Sequence, residues 1–316
     1  MSASNRSLIA LLLTLVAAPL LAADFKLAPS SNGHLDILQD NKIVARYMHG
    51  FDPAKLTDTY KPYLHIFDPE GEAPITKGPG GDFPHHRAIF LGWNKILVNG
   101  KSYDRWHMKG GNQIHQKFTG EKASTDGATF TSTIQWEGEP GATILEESRT
   151  ISVLPSTAPF YATVDLTSTL IAKAGDTVLD GDPEHAGLQY RPAQEVDRSK
   201  TSYLYPIEKA NPQKDLDYPW FAQTYSYRGN DYTVIYLNHP ENPKGARTSA
   251  YRDYGRFGTF YKTDIKHNET ATIKVRFHIS QGPMPSAEAI QNLWNAYTGK
   301  SEPTPATTLK SAAAKK

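Results

Sequence analysis

The chain is 316 residues long and carries 34 Lys and Arg against 33 Asp and Glu, a formal net charge of +1. That balance excludes the basic excess of a nucleic-acid binder and the charge-driven expansion of a disordered chain. Cysteine is absent, which excludes disulfides, thiolate catalysis, zinc ribbons and iron–sulfur clusters.

In chain order the first element is an export signal. Arg6 is the only charge ahead of an apolar run from Leu8 to Leu21, and Ala22 and Ala23 close it. A short positive region, an apolar stretch and small residues read as a secretory signal peptide over residues 1–23. The run is about 14 residues, short of the ~20 that a spanning helix needs. Its removal takes Arg6 away and leaves a net charge of zero. No later stretch is apolar enough to span a bilayer. The expected location is periplasmic or secreted, with no membrane partner after cleavage and no nucleic-acid partner.

From Phe25 onward short alternating runs are broken by Gly, Pro, Asn and Asp. Early strands are expected at His34–Leu38, Ile43–His49, Tyr63–Phe67 and Ala88–Val98. Gln113–Phe118, Ala128–Trp136 and Ile144–Leu154 follow. The clearest strand is Phe160 to Leu170. Phe160, Ala162, Val164, Leu166 and Leu170 share one face, and Thr163, Asp165, Thr167 and Thr169 the other; that period of two marks a half-buried strand. Thr177–Leu179, Leu188–Arg191 and Tyr218–Tyr227 come next. Tyr232–Leu237 is apolar on both faces and reads as central. Ala271–Ile279 repeats the alternation. Turn dipeptides such as Asn99-Gly100 and Asp126-Gly127 fall where hairpins need them. One helix is expected. Pro285 and Ser286 open it, Ile290, Leu293, Trp294 and Tyr297 form its apolar stripe, and Gly299 ends it. Residues 301–316 are poor in hydrophobics and read as a disordered tail. About fifteen strands without alternating helices predict an all-β fold, a large antiparallel β-sandwich over 24–300 with one C-terminal helix.

Histidine is the informative residue. Of 11, four lie between 85 and 115: His85, His86, His107 and His115. The Gly/Pro-rich segment Gly78–Arg87 delivers His85, His86 and Arg87 to the mouth of a strand that carries Trp93. Loops on a rigid scaffold commonly hold function. A second segment, Asp180–Arg191, places Glu184 beside His185. If it continues as a strand, His185, Gln189 and Arg191 share one face, and such a polar face is costly to bury. The third segment is Tyr251-Arg252-Asp253-Tyr254-Gly255, a wall for stacking a sugar or a salt-bridged bend. General acid/base work would fall to His86, His185 and Glu184. Substrate binding would fall to His85, Arg87, Trp93, His115, Gln189, Arg191, Arg252, Asp253 and Tyr254. No cofactor is called for. A divalent metal stays open as the alternative, since two or three His with a carboxylate suit Zn, Cu, Ni or non-haem Fe.

Taken together, Phe83-Pro-His-His-Arg87, Gly181-Asp-Pro-Glu-His185 and Arg252-Asp-Tyr-Gly255 resemble a bacterial family of secreted proteins, the PmoA-like family labelled "methane oxygenase PmoA". The likeness spans about residues 30–280. It departs where the family has a further His before Pro-His-His-Arg; here that residue is Phe83. It departs again after Gly255, where Arg256-Phe-Gly replaces the family's Asn-Pro. The resemblance implies a large β-sandwich of the galactose-mutarotase-like supersandwich kind, and a small-molecule or oligosaccharide ligand. A non-catalytic carbohydrate-binding module and a His-ligated metal-dependent oxygenase are the alternatives.

Overall fold

Alternating side chains need two faces to bury, and the chain supplies them by stacking antiparallel sheets. The computed structural model describes residues 23–312; the expected signal peptide lies almost wholly outside the described residues. One sheet has eight strands, in the order Phe25–Ser30, His34–Gln39, Lys42–Met48, Tyr63–Ile66, Ile89–Trp93, Ala186–Tyr190, Phe257–Phe260 and Arg247–Thr248. The second has nine, in the order Thr308–Ser311, Asp197–Tyr205, Trp220–Tyr227, Asn230–Asn238, Thr270–Gln281, Phe160–Ala172, Ala142–Leu154, Gly127–Glu139 and Gln113–Ser124. A third, of four strands, comprises Thr263–Ile265, Thr177–Asp180, Lys95–Val98 and Lys101–Tyr103. Every pairing is antiparallel. The all-β sandwich expected from the sequence is the fold observed.

The core between the sheets is apolar, with Leu35, Ile89, Trp93, Ile134, Val164, Leu188, Tyr236 and Phe277 all buried in one cluster. One charged pair sits inside it. Arg149 Nε donates to Glu147 Oε1 at 2.7 Å and its Nη2 to Oε2 at 2.8 Å, and Trp136 Nε1 and Ser168 Oγ donate to the same carboxylate. Each buried lone pair thereby finds a donor, which is the condition for tolerating charge at this depth.

The helix forms where expected, at Ala287–Thr298. Ser286 caps it by accepting the Ala289 N–H, and Gly299 closes it with φ +69. Its apolar stripe buries Ile290 and Trp294 on the outer face of the nine-stranded sheet, against Trp220, Ile235 and Leu237.

Two expectations are corrected. The run Ala88–Val98 is two strands, in different sheets. The chain breaks at Asn94, whose N–H bonds to His185 O at 2.9 Å and whose amide reaches Asp182 Oδ2 at 3.0 Å. The expected loose tail is ordered as far as residue 312. Thr308–Ser311 pairs with Ser202–Tyr205 and closes one edge of the nine-stranded sheet.

Candidate functional site

Three segments distant in sequence converge around a cleft of about 520 Å³. The strands Ile89–Trp93 and Ala186–Tyr190 are antiparallel neighbours with Ala186 opposite Trp93, so His86 and His185 precede opposite ends of the pair; both rings meet Trp106, at 5.8 and 6.2 Å, where it packs on Phe90. Gly187 permits the close approach of the other neighbour, Phe257–Phe260, because its φ is +85 and a Cβ there would fall 1.9 Å from Thr259 O. His85, His86, Glu184, His185, Arg252, Asp253 and Tyr254 all reach the cleft wall.

The centre is built from one local device used twice. In Asp104-Arg-Trp-His107, Asp104 Oδ1 accepts the N–H groups of Trp106 and His107 at 3.0 and 2.8 Å, and Oδ2 meets His107 Nδ1 at 2.8 Å. In Asp182-Pro-Glu-His185, Asp182 Oδ1 accepts the Glu184 N–H at 2.9 Å and meets His185 Nδ1 at 2.9 Å. The two imidazoles then lie with centroids 5.3 Å apart. Burial works to raise the Asp182 carboxyl, but His185, the Glu184 N–H and the Asn94 amide hold it below its ordinary value. Asp104 is held low in the same way by His107. An ionised carboxylate only accepts, so each Nδ1 carries hydrogen and each Nε2 is left for a ligand.

His85 and His86 are of a different kind. Burial, with His107 beside it, pushes the His85 imidazole down to about 3. Burial and Arg191 push His86 well below its ordinary value. Arg191 Nε lies 3.3 Å from His86 Nδ1. A guanidinium only donates, so that nitrogen accepts, and His86 offers an N–H from Nε2. His86 is therefore a neutral donor rather than a base. Its ring stacks under Phe83, at 5.2 Å and 26°. Phe83 is 41% exposed, has φ +53 and also meets Tyr254 at 5.2 Å.

Glu184 is anchored. Its carboxylate meets Arg252 Nη2, and Arg256 Nη2 at 2.9 Å. Burial favours its neutral form, yet Arg256, the Tyr251 hydroxyl and Arg252 hold it below its ordinary value. It stays anionic and fixes the loop that carries Arg252, Asp253 and Tyr254.

Five residues expected to bind substrate lie elsewhere. Arg87 is wholly buried behind the loop, where it donates to Pro84 O, His86 O and Thr57 O. Arg191 lies beneath the cleft, its guanidinium 4.3 Å from the Tyr254 ring centroid and bonded to Tyr254 O. Gln189 is buried, donates to Ala186 O at 3.0 Å and accepts from Ser249 Oγ at 2.6 Å. The polar face expected there is not wet, because its strand is interior to the sheet and covered on both faces. Trp93 is in the core, donating to Tyr261 O at 2.9 Å. His115 belongs to another cluster, with His49 at 4.6 Å and Phe118 at 4.4 Å.

Conversely, Asp104, His107, Asp182, Phe83, Arg198 and Arg256 belong to the site or support it and were not singled out as site residues. The repeated Asp-x-x-His spacing is the signal that finds the first three. Among the described residues, no group of three or more His, Asp or Glu has the geometry to hold a metal ion. The donors do not fit an oxygenase centre, and no step is derived through one.

A search of curated proteins finds no match to this sequence. Among solved structures the chain is similar to a heparan sulfate lyase mutant from Pedobacter heparinus, with 11% identity and a TM-score of 0.38 over 85% of this chain and 38% of that one. It is similar to the galactosidase domain of an alpha-galactosidase-sucrose kinase, with 9% identity and a TM-score of 0.44 over 81% and 42% of the two chains. It thus spans less than half the length of either. It is also similar to a galactose mutarotase-like protein from Clostridium acetobutylicum, with 9% identity and a TM-score of 0.38 over 83% and 99%. The sequence matches the family described as "Family of unknown function (DUF6807)" over residues 34–295, most of its length, and the protein belongs to that family.

Proposed function

We propose that the cleft binds a sugar or modified glycoside and that His107 and His185 transfer protons on it. The observation that carries this reading is the pair of Asp-anchored imidazoles, 5.3 Å apart, of which His185 lines a cleft of about 520 Å³ and His107 packs against both His185 and the lining residue His85. That volume suits a small polar ligand. Phe83 and Tyr254 offer apolar faces for the C–H side of a ring. Arg198, Arg252 and Asp253 offer donors and acceptors for hydroxyls, and His86 Nε2–H offers one more donor.

The chemistry follows from the anchoring. Asp104 and Asp182 hold each ring in one tautomer and stabilise the imidazolium that forms when Nε2 takes a proton. One imidazole removes a proton from the ligand while the other, protonated, returns one. The proton balance closes within the pair. This suits epimerisation or elimination better than glycoside hydrolysis, which calls for two free carboxyl groups, whereas Glu184 is occupied by two arginines. Export to the periplasm or beyond belongs to the same reading and is supported by the apolar run Leu8–Leu21.

The test is turnover of a panel of glycosides and keto-sugars. His107→Ala and His185→Ala should each lower kcat by about 10²–10⁴-fold, the usual worth of a positioned acid or base, with the circular dichroism spectrum unchanged. Unchanged turnover in both variants rejects the paired-imidazole mechanism. Wild-type binding without any turnover would leave a sugar-binding module instead.

A further inference from the structure

A second cavity, of about 430 Å³, adjoins the cleft and shares Gln213 and Tyr251 with it. Tyr251 links the two, since it lines both, and burial together with the Glu184 carboxylate at the cleft wall pushes its hydroxyl up. The floor of the second cavity is aromatic. Tyr203 and Tyr205 are each 1% exposed, and their hydroxyls donate to Arg252 O and Ala250 O, the backbone of the loop that carries Arg252–Tyr254. One wall is the C-terminal strand, which contributes Lys310, Ser311 and Ala312. That wall is tied down where Ala210 N–H meets Thr308 Oγ1 at 3.1 Å and Ala312 N–H meets Thr201 O at 2.8 Å.

The lining is one-sided in charge. Lys209 and Lys310 line the cavity, the Lys310 ammonium donating one hydrogen bond to Ala210 O, with Asn211, Gln213 and Ser311 as further polar groups, and no Asp or Glu among the lining residues. Lys209 has φ +56, a left-handed conformation that Gly or Asn occupies at less cost. A lysine there departs from local preference, as residues at functional positions can.

Resting on the sugar-site reading above, we infer that this cavity is a second subsite, which receives the neighbouring unit of a saccharide chain and selects one bearing a carboxylate or sulfate. The ligand spans both cavities, with its reacting ring at His107 and His185 and its acidic ring between Lys209 and Lys310. The shared residue Tyr251 lies at the junction of the two cavities.

The test is an array of immobilised monosaccharides and disaccharides in neutral, uronic-acid and sulfated forms, with calorimetry on the best binders. Acidic disaccharides should bind about tenfold tighter than their neutral counterparts, the scale of one charge-assisted contact. The double variant Lys209→Ala, Lys310→Ala should erase that preference and leave monosaccharide binding in the first cleft unchanged. Uronic-acid and sulfated forms compared side by side identify which anion is read. If wild-type protein shows no preference, or the double variant keeps it, the subsite is overturned while monosaccharide binding still stands. If no saccharide binds at all, the sugar-site reading falls and the subsite with it.

Discussion

At the scale of single residues, the site turns on what holds each imidazole. His107 and His185 are each fixed through Nδ1 by an aspartate three residues earlier. Asp182→Asn keeps the size of that partner but offers an amide that can donate to Nδ1 and favour the wrong tautomer. The expected result is a fall in kcat of about 10²–10⁴-fold with KM changed little, read by steady-state kinetics. A rise in KM alone would mean that Asp182 only shapes the cleft. The three segments that meet at the cleft were legible in the sequence, because loops dense in His, Arg and acidic residues stand out against alternating strands. The direction of each side chain was not. Gln189 and Arg191 share a face with His185 by period two, but that face lies against neighbouring strands and the Tyr254 loop. Buried arginine was the main source of error: Arg87 and Arg191 are held by backbone carbonyls, and the sequence does not name those partners.

At the scale of elements, strands with clean alternation, such as Phe160–Ala172 and Thr270–Gln281, were readable because one face packs on the core. Asp197–Tyr205 was not. Its first four residues are exposed and polar, and only its second half turns inward. The strand Thr308–Ser311 lacked any periodic signal, since its order comes from backbone pairing with a partner a hundred residues away, Tyr205 opposite Thr308. Such pairing satisfies an otherwise open edge and needs no apolar face. The break at Asn94 was hidden for a related reason. The bonds that turn the chain there come from His185 and Asp182, and they couple the strand to the Asp182–His185 turn.

At the scale of the whole molecule, the sandwich is held by apolar packing and by partnered polar groups, with no disulfide to assist it. Several histidines are enclosed as neutral rings. Burial lowers His65 and His278 to about 4, His115 to about 4 and His85 to about 3, from 6.5. The unfolded chain therefore takes up protons below pH 6.5 that the folded chain refuses until pH 3 to 4. Stability is full above pH 6.5 and falls as the pH drops through that window. His65 and His278, the most enclosed, each contribute a loss on the order of 3 kcal/mol across it. The urea midpoint should fall steadily from pH 7 to pH 5, and an unchanged midpoint would show that these rings reach solvent.

The sandwich also brings together two Asp-x-x-His turns, one following Lys101–Tyr103 and the other preceding Ala186–Tyr190, with their imidazoles 5.3 Å apart beside the cleft. The most direct measurement is proton NMR of a bound sugar in deuterated water. Paired imidazoles predict solvent deuterium at one carbon of the ligand with wild-type protein, and its loss in both His107→Ala and His185→Ala. Deuterium uptake that persists in both variants, or that requires Glu184 and neither histidine, would contradict the account.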